Sequence, residues 1–172
     1  MKFKKKKINN VKNFYQEYTN ILTDVLQSLN LKNWSKFSNE LEKKILTNKN
    51  IFVCGNGGSA AIANHLVCDY IKLLRKNTKL KPRVISLSTS IELITAISND
   101  FSYDKIFSEQ LSYLANKGDL LILISSSGNS KNIINALRFC KKNKIKTVGL
   151  SGFKGGYLSK NADISLHYNC EN

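Results

Sequence analysis

The sequence has little proline or glycine: 1 Pro and 9 Gly in 172 residues. That excludes a collagen-like or low-complexity chain. Its 4 cysteines are too few for a disulfide scaffold. Cys54, Cys68, Cys140 and Cys170 contain no C-x-x-C pair, so zinc-ribbon and thioredoxin-type readings fail. No apolar run reaches the ~18 residues that a membrane span needs. The basic start, residues 1–10, has no apolar segment behind it, so no secretory signal is read there. Acidic residues are scarce too: 12 Asp plus Glu against 27 Lys plus Arg, a net charge of +15. Such an excess attracts polyanions through long-range fields. Yet arginine, the residue of bidentate base and phosphate recognition, occurs only as Arg75, Arg83 and Arg138. Basic and aromatic residues do not interleave in any stretch. The excess therefore reads as a solvated lysine surface, with no nucleic-acid partner and no membrane expected. The run Lys4 to Lys7 reads as a frayed terminus. A soluble cytoplasmic protein is the expectation, with Cys54 and Cys140, set in apolar patterns, buried and reduced.

What is present is core. Hydrophobic residues make up 42% of the chain, enough for one real domain. Val11, Phe14, Tyr18, Ile21, Leu22, Val25, Leu26 and Leu29 recur at steps of three and four, predicting one long amphipathic helix. Trp34, Phe37, Leu41 and Ile45 predict a second. After Asn50 the rhythm changes. Residues 51–54 are a short apolar run ending at Gly55, a buried strand, and residues 59–75 read as a helix. Further strands are expected at 83–88, 119–124, 147–150 and 164–166. Helices are expected at 90–98, 103–115 and 130–143. The run at 119–124 is the most apolar and reads as the central strand. Strands alternating with helices predict a three-layer, doubly wound α/β fold with a parallel sheet. Ligands of such sheets bind beyond the carboxyl ends of the strands, so the site is sought after Cys54, Ser88, Ile124 and Leu150.

Two loops at that edge have the chemistry for an anion. The first is Gly55-Asn56-Gly57-Gly58-Ser59-Ala60. Its glycines let the backbone turn tightly and approach a ligand, and a helix begins at once, with free N–H groups that favour an anion. The string also satisfies G-x-G-x-x-A, but a dinucleotide site needs an acidic residue at the end of the second strand. Leu87, Ser88, Thr89 and Ser90 stand there instead. No G-K-[ST] follows, so a nucleoside-triphosphate loop fails as well. The second loop is Ser125-Ser126-Ser127-Gly128-Asn129-Ser130. One serine-rich loop is commonly a turn and a helix cap. Two at one sheet edge point to a small phosphorylated ligand. His65 and Asp69, four apart on one predicted helix, share a face. That spacing suits two metal ligands, a ligand and a base, or an ordinary surface pair.

These motifs occur together in order: Cys54-Gly55-Asn56-Gly57-Gly58-Ser59-Ala60, then His65, Ser98-Asn99-Asp100-Phe101, and Ile124-Ser125-Ser126-Ser127-Gly128-Asn129-Ser130. The set resembles the sugar isomerase (SIS) domain family, and within it the phosphoheptose isomerase group. The resemblance implies a flavodoxin-like five-stranded parallel sheet over residues 51–172. An N-terminal helical hairpin, residues 1–50, would pack on the domain or on a partner subunit of a homotetramer. It implies aldose–ketose exchange between sedoheptulose 7-phosphate and a D-glycero-D-manno-heptose 7-phosphate, for surface-glycan precursors. Zinc is bound in many members, and no nucleotide cofactor is implied. The other reading is a non-catalytic SIS module that binds or senses a phosphosugar.

By the resemblance, Ser125, Ser126, Ser127 and Ser130 hold the sugar phosphate. Asn56, Gly57 and Gly58 line the sugar, and Asn99 and Asp100 add contacts. Ser59 is expected to cap its helix and face the same cleft. His65 and Asp69 become zinc ligands and catalytic residues, Asp69 standing where the family usually has Glu. His167, the other histidine, is read as a structural or exposed residue. The resemblance also implies a long helix after the last strand, with a Gln or similar residue and a His that complete the metal and acid–base set. A parallel sheet needs both faces covered, and nothing follows the last strand to cover it. The sequence is therefore expected to be a piece of a longer protein.

Overall fold

The computed structural model describes residues 10–170; the run Lys4 to Lys7 lies outside the described residues. Two helices come first, α1 (Val11–Gln27) and α2 (Leu31–Leu46). Then follow β1 (Asn50–Gly55), α3 (Gly58–Cys68), a π-helix (Asp69–Leu74), α4 (Arg75–Asn77) and β2 (Arg83–Ser86). The chain continues through α5 (Ile91–Asp100), a 3₁₀ turn (Tyr103–Lys105), α6 (Ile106–Leu114) and β3 (Leu120–Ser125). It ends with α7 (Lys131–Lys142), β4 (Lys146–Ser151), α8 (Gly156–Asn161) and β5 (Ile164–His167).

The five strands form one sheet in the order β2-β1-β3-β4-β5, and every neighbouring pair is parallel. The expected doubly wound α/β architecture is thus present, with residues 120–125 on the central strand. The reason lies in the side-chain alternation of a strand. In β1, Phe52 and Cys54 face one layer while Ile51 and Val53 face the other. In β3, Leu121 and Leu123 join the first layer; Leu120, Ile122 and Ile124 join the second. All six β3 residues are buried. A strand apolar on both sides can only be stable between two layers. Each fully buried leucine there contributes roughly 1.5–3 kcal/mol of transfer free energy.

One layer is built by α6, α7 and α8 with Phe107, Leu111, Ile133, Leu137 and Leu158. The opposite layer is built by α3 with Ala63 and Leu66, and by α2 with Trp34, Phe37, Leu41 and Ile45. On this face β5 takes its cover from an element that precedes the sheet. Its Ile164 and Leu166 pack in the α2 layer, and Asn33 of α2 donates to the Ser165 carbonyl at 2.9 Å. The cover comes from the other end of the sequence, which a strand-by-strand reading does not see. The 152–162 connection also holds α8, which Gly149 admits: a Cβ at Gly149 would meet Leu158 Cγ at 2.8 Å.

Two further differences concern helices. The segment after Cys68 was expected to stay α-helical and instead runs as a π-helix from Asp69. And α1 buries none of its residues: Val11 is 80% and Leu26 54% exposed.

Candidate active site

The sheet order places the site. The helix after β1 crosses to one layer and the helix after β3 to the other, so a crevice opens between the carboxyl ends of these adjacent strands. Both anion-type loops leave from there.

The first loop is forced by backbone geometry. Gly57 has φ +53° and ψ −121°, a conformation suited to glycine. Gly55 has no room for a side chain, since a Cβ would lie 2.6 Å from the Ser59 carbonyl oxygen. Ser88, at the end of the β2 segment, braces the turn: its hydroxyl donates to the Gly55 carbonyl at 2.9 Å and accepts the Gly55 N–H at 3.2 Å. Ser59 departs from its expected place. Gly57 is the N-cap of α3, with no side-chain cap bond, and Ser59 lies inside the helix. With the N-cap position a glycine, the turn is closed by backbone bonds from Ser59 and Ala60 to Asn56 and Gly57.

The second loop is more tightly built. Ser125 is buried, with its hydroxyl 3.3 Å from that of Ser130 and accepting the Gly128 N–H at 3.2 Å. The Ser127 hydroxyl accepts the Asn129 N–H at 3.2 Å. Ser126 and Ser127 are exposed at the loop's crown. Ser130 is the N-cap of α7 but makes no side-chain cap bond. The start of a 12-residue helix is thereby presented to the crevice, with its dipole favouring an anion. The loop is stitched to the turn after β4. Asn129 Oδ1 accepts the Tyr157 N–H at 2.8 Å, Leu158 N–H donates to the Gly128 carbonyl at 2.9 Å, and Gly152 N–H donates to the Ser126 carbonyl at 2.9 Å.

A cavity of about 520 Å³ lies between the loops, lined by Asn56, Tyr103, Asp104, Ser130, Lys131 and Asn132. Around the loops' other side is a cavity of about 260 Å³ whose walls include Ser59, Ser126, Gly152 and Tyr168. The structure thus gathers Asn56, Gly57, Gly58, Ser59 and the four serines at one sheet edge. Asn99 and Asp100 end α5, both exposed, with Asn99 Nδ2 donating to Asp100 Oδ1 at 3.0 Å. The residue of this segment that reaches the loops is Tyr103, whose hydroxyl donates to Asn56 Oδ1 at 3.0 Å.

His65 and Asp69 do share a helix face. Their Nε2 and Oδ1 are 3.5 Å apart, with side chains 74% and 42% exposed. Asp69 opens a different groove, of about 520 Å³, with Leu41, Tyr70 and Leu73. The Tyr70 hydroxyl is pushed above its ordinary pKa, first by burial and then by the Asp69 carboxylate, so it stays a neutral donor. Zinc takes four ligands in structural sites, and three protein ligands with an open position in catalytic ones. His65 and Asp69 supply two. Among the described residues no group of three His, Cys, Asp or Glu comes together, so these residues do not complete a zinc site. His167 bonds Ser151 through Nδ1, 3.2 Å from its hydroxyl and 3.3 Å from its carbonyl oxygen.

Sequence reasoning missed Tyr103, Asn129 and Asn132. Asn132 is 2% exposed and pairs with Asn56 through both amide atoms. The available signal was its place in the first turn after the serine loop, where unpaired N–H groups draw polar side chains.

Comparison with known proteins fits this geometry. The SIS domain family model matches residues 13–152. A phosphoheptose isomerase of Aliarcobacter butzleri is 46% identical over 116 residues, 67% of this chain and 61% of that protein. A probable phosphoheptose isomerase of Thermoplasma acidophilum is 38% identical over 140 residues, 81% of this chain and 76% of that one. The structure of a phosphoheptose isomerase from Neisseria gonorrhoeae superposes with a TM-score of 0.84 at 26% identity, covering 94% of this chain and 85% of that one. The matched region spans less than two thirds of the Aliarcobacter relative's length.

Proposed function

The chain belongs to the SIS domain family, and from that premise we propose that it is a phosphoheptose isomerase, interconverting sedoheptulose 7-phosphate and a D-glycero-D-manno-heptose 7-phosphate. The observation that carries the reading is the convergence of the two loops on the β1–β3 crevice, where the start of α7, whose Ser130 makes no side-chain cap bond, meets hydroxyls and backbone N–H groups. Ser125, Ser126, Ser127 and Ser130 hold the phosphate, and Asn56, Gly57, Gly58, Ser59, Asn99 and Asp100 contact the sugar.

We assign Asp69 as the base. It takes a proton from C1 of the ketose, giving the enediol. The proton returns at C2, and the hydroxyl proton passes from O1 to O2, so that no other reactant is consumed. His65, whose Nε2 lies 3.5 Å from Asp69 Oδ1, orients the carboxylate. If zinc is bound in the assembled protein, His65 and Asp69 would hold it in part, and it would supply the electrophile that stabilises the enediolate oxygen.

The exposed stripe of α1 supports a homotetramer in which further copies cover Val11, Leu22 and Leu26. The free cysteines fit a reducing compartment, and no described helix is long and apolar enough to cross a membrane. We place the protein in the cytoplasm, supplying surface-glycan precursors. The test is incubation of the purified protein with sedoheptulose 7-phosphate, followed by NMR of the sugar. Appearance of the aldose phosphate is expected. Saturable binding without interconversion would replace the isomerase by a phosphosugar-binding module.

A further inference from the structure

We propose that Asn132 is a positioning residue that locks the Asn56 carboxamide so that it offers a ligand one N–H and no acceptor. The proposal rests on the reading of Asn56 as a sugar-phosphate contact, and it follows from donor and acceptor accounting. The Ile133 backbone N–H can only donate, and it does so to Asn132 Oδ1 at 2.9 Å. That fixes which end of the buried Asn132 amide is oxygen. Its nitrogen therefore donates to Asn56, at 2.8 Å, and the Asn56 atom it meets must be Oδ1. Asn56 Nδ2 in turn donates to Asn132 Oδ1 at 2.9 Å.

The Tyr103 hydroxyl donates to the same Asn56 Oδ1 at 3.0 Å. Both lone pairs of that oxygen are then filled, and one of the two Nδ2 hydrogens is used. What remains is a single N–H, on the wall of the crevice that also holds Ser130 and Lys131. Such a group takes an acceptor oxygen, phosphoryl or carbonyl, and rejects a donor. Asn135 of α7 keeps the Tyr103 segment in place by donating to the Asp104 carbonyl at 2.9 Å. The first turn of α7 thus sets the polarity of a side chain on the opposite loop.

The test is calorimetric binding of sedoheptulose 7-phosphate, which does not depend on turnover. Asn132→Asp keeps the shape and the Ile133 bond and places a carboxylate at a helix N-terminus, where burial opposes the charge, so its melting temperature is measured beside its affinity. Whichever way Asn56 turns, however, one oxygen now faces another, and affinity should fall roughly tenfold, one hydrogen bond's worth. Parental affinity at parental melting temperature overturns the proposal. Where Asn132→Asp also melts early, the cycle of Asn56→Ala, Asn132→Ala and the double variant decides. A double variant binding no worse than Asn56→Ala supports action through Asn56, whereas independent, additive losses show a merely structural role. If Asn56→Ala binds like the parent while turnover persists, the proposal fails and the isomerase reading stands. If the parent binds but does not turn over, the isomerase reading fails and the binding cycle still decides the proposal.

Discussion

Gly128 is where the second loop turns, and Gly128→Ala tests whether the loop is held by its neighbours. The residue has φ +67°, and an added Cβ would lie 2.0 Å from the Gly155 carbonyl oxygen and 2.7 Å from its carbon. A left-handed alanine costs roughly 1–2 kcal/mol. The atoms it meets are backbone and cannot rotate away, and forcing packed groups apart costs roughly 1–3 kcal/mol more. The sum is about 2–5 kcal/mol. At roughly 2–4 °C per kcal/mol for a domain of this size, the melting temperature should fall by at least ~4 °C. The loss should extend to sugar-phosphate affinity, because Leu158 and Tyr157 bond to the same loop. Gly58→Ala is the control. Gly58 opens α3 with nothing within 4 Å of its Cβ position, and alanine there should stabilise by roughly 0.5 kcal/mol. The assay is thermal denaturation followed by circular dichroism. A Gly128→Ala protein that melts like Gly58→Ala would refute the account of the loop.

Other outcomes follow from the same structure. Asp119 is 2% exposed and accepts the N–H groups of Asn50 at 3.0 Å and Asn116 at 2.8 Å. Asp119→Ala strands both and should cost roughly 2–4 kcal/mol in chemical denaturation; a loss below ~0.5 kcal/mol would contradict that. Burial lifts the Cys140 thiol to about 12, with Asp163 adding to it, and raises Cys54 well above its ordinary value, with Cys140 adding to it. At pH 8.5, iodoacetamide should therefore modify exposed Cys68 and spare both in the native protein, as read by mass spectrometry. Because the unfolded Cys140 thiol ionises from pH 9 and the folded one does not, its contribution is complete below pH 9 and is lost between pH 9 and about 12. Cys140→Ala should flatten that part of the stability profile. Asp69→Asn should lower kcat by roughly 10²–10⁴ with KM little changed; full turnover would remove Asp69 as the base.

Most of the fold was legible because β1 and β3 are apolar on both sides and α2 and α7 carry an apolar stripe. The run at Leu120–Ser125 could hardly be anything but a central strand. The loops were legible because two glycine- and serine-rich turns stand at one sheet edge, where a single one would pass for a turn and a helix cap. Three things were hidden. The cover of β5 by α2 joins Asn33 to Ser165, a contact between distant parts of the chain that local periodicity cannot contain. The π-helix at Asp69 leaves no mark in an apolar pattern. The Asn56–Asn132–Tyr103 network depends on three side chains from separate segments brought together by tertiary structure. The helical spacing of His65 and Asp69 was correct, but spacing gives no distance from the loops to the pair.

The central claim is that the serine loop and the His65–Asp69 pair act on one sugar phosphate through proton transfer. The direct measurement is incubation of the protein with sedoheptulose 7-phosphate in deuterium oxide, with parallel samples of Asp69→Asn and Ser130→Ala. The account predicts an aldose phosphate carrying deuterium at C2, lost with Asp69→Asn through kcat and weakened with Ser130→Ala through KM. Ketose that binds and is recovered unchanged and undeuterated would contradict it.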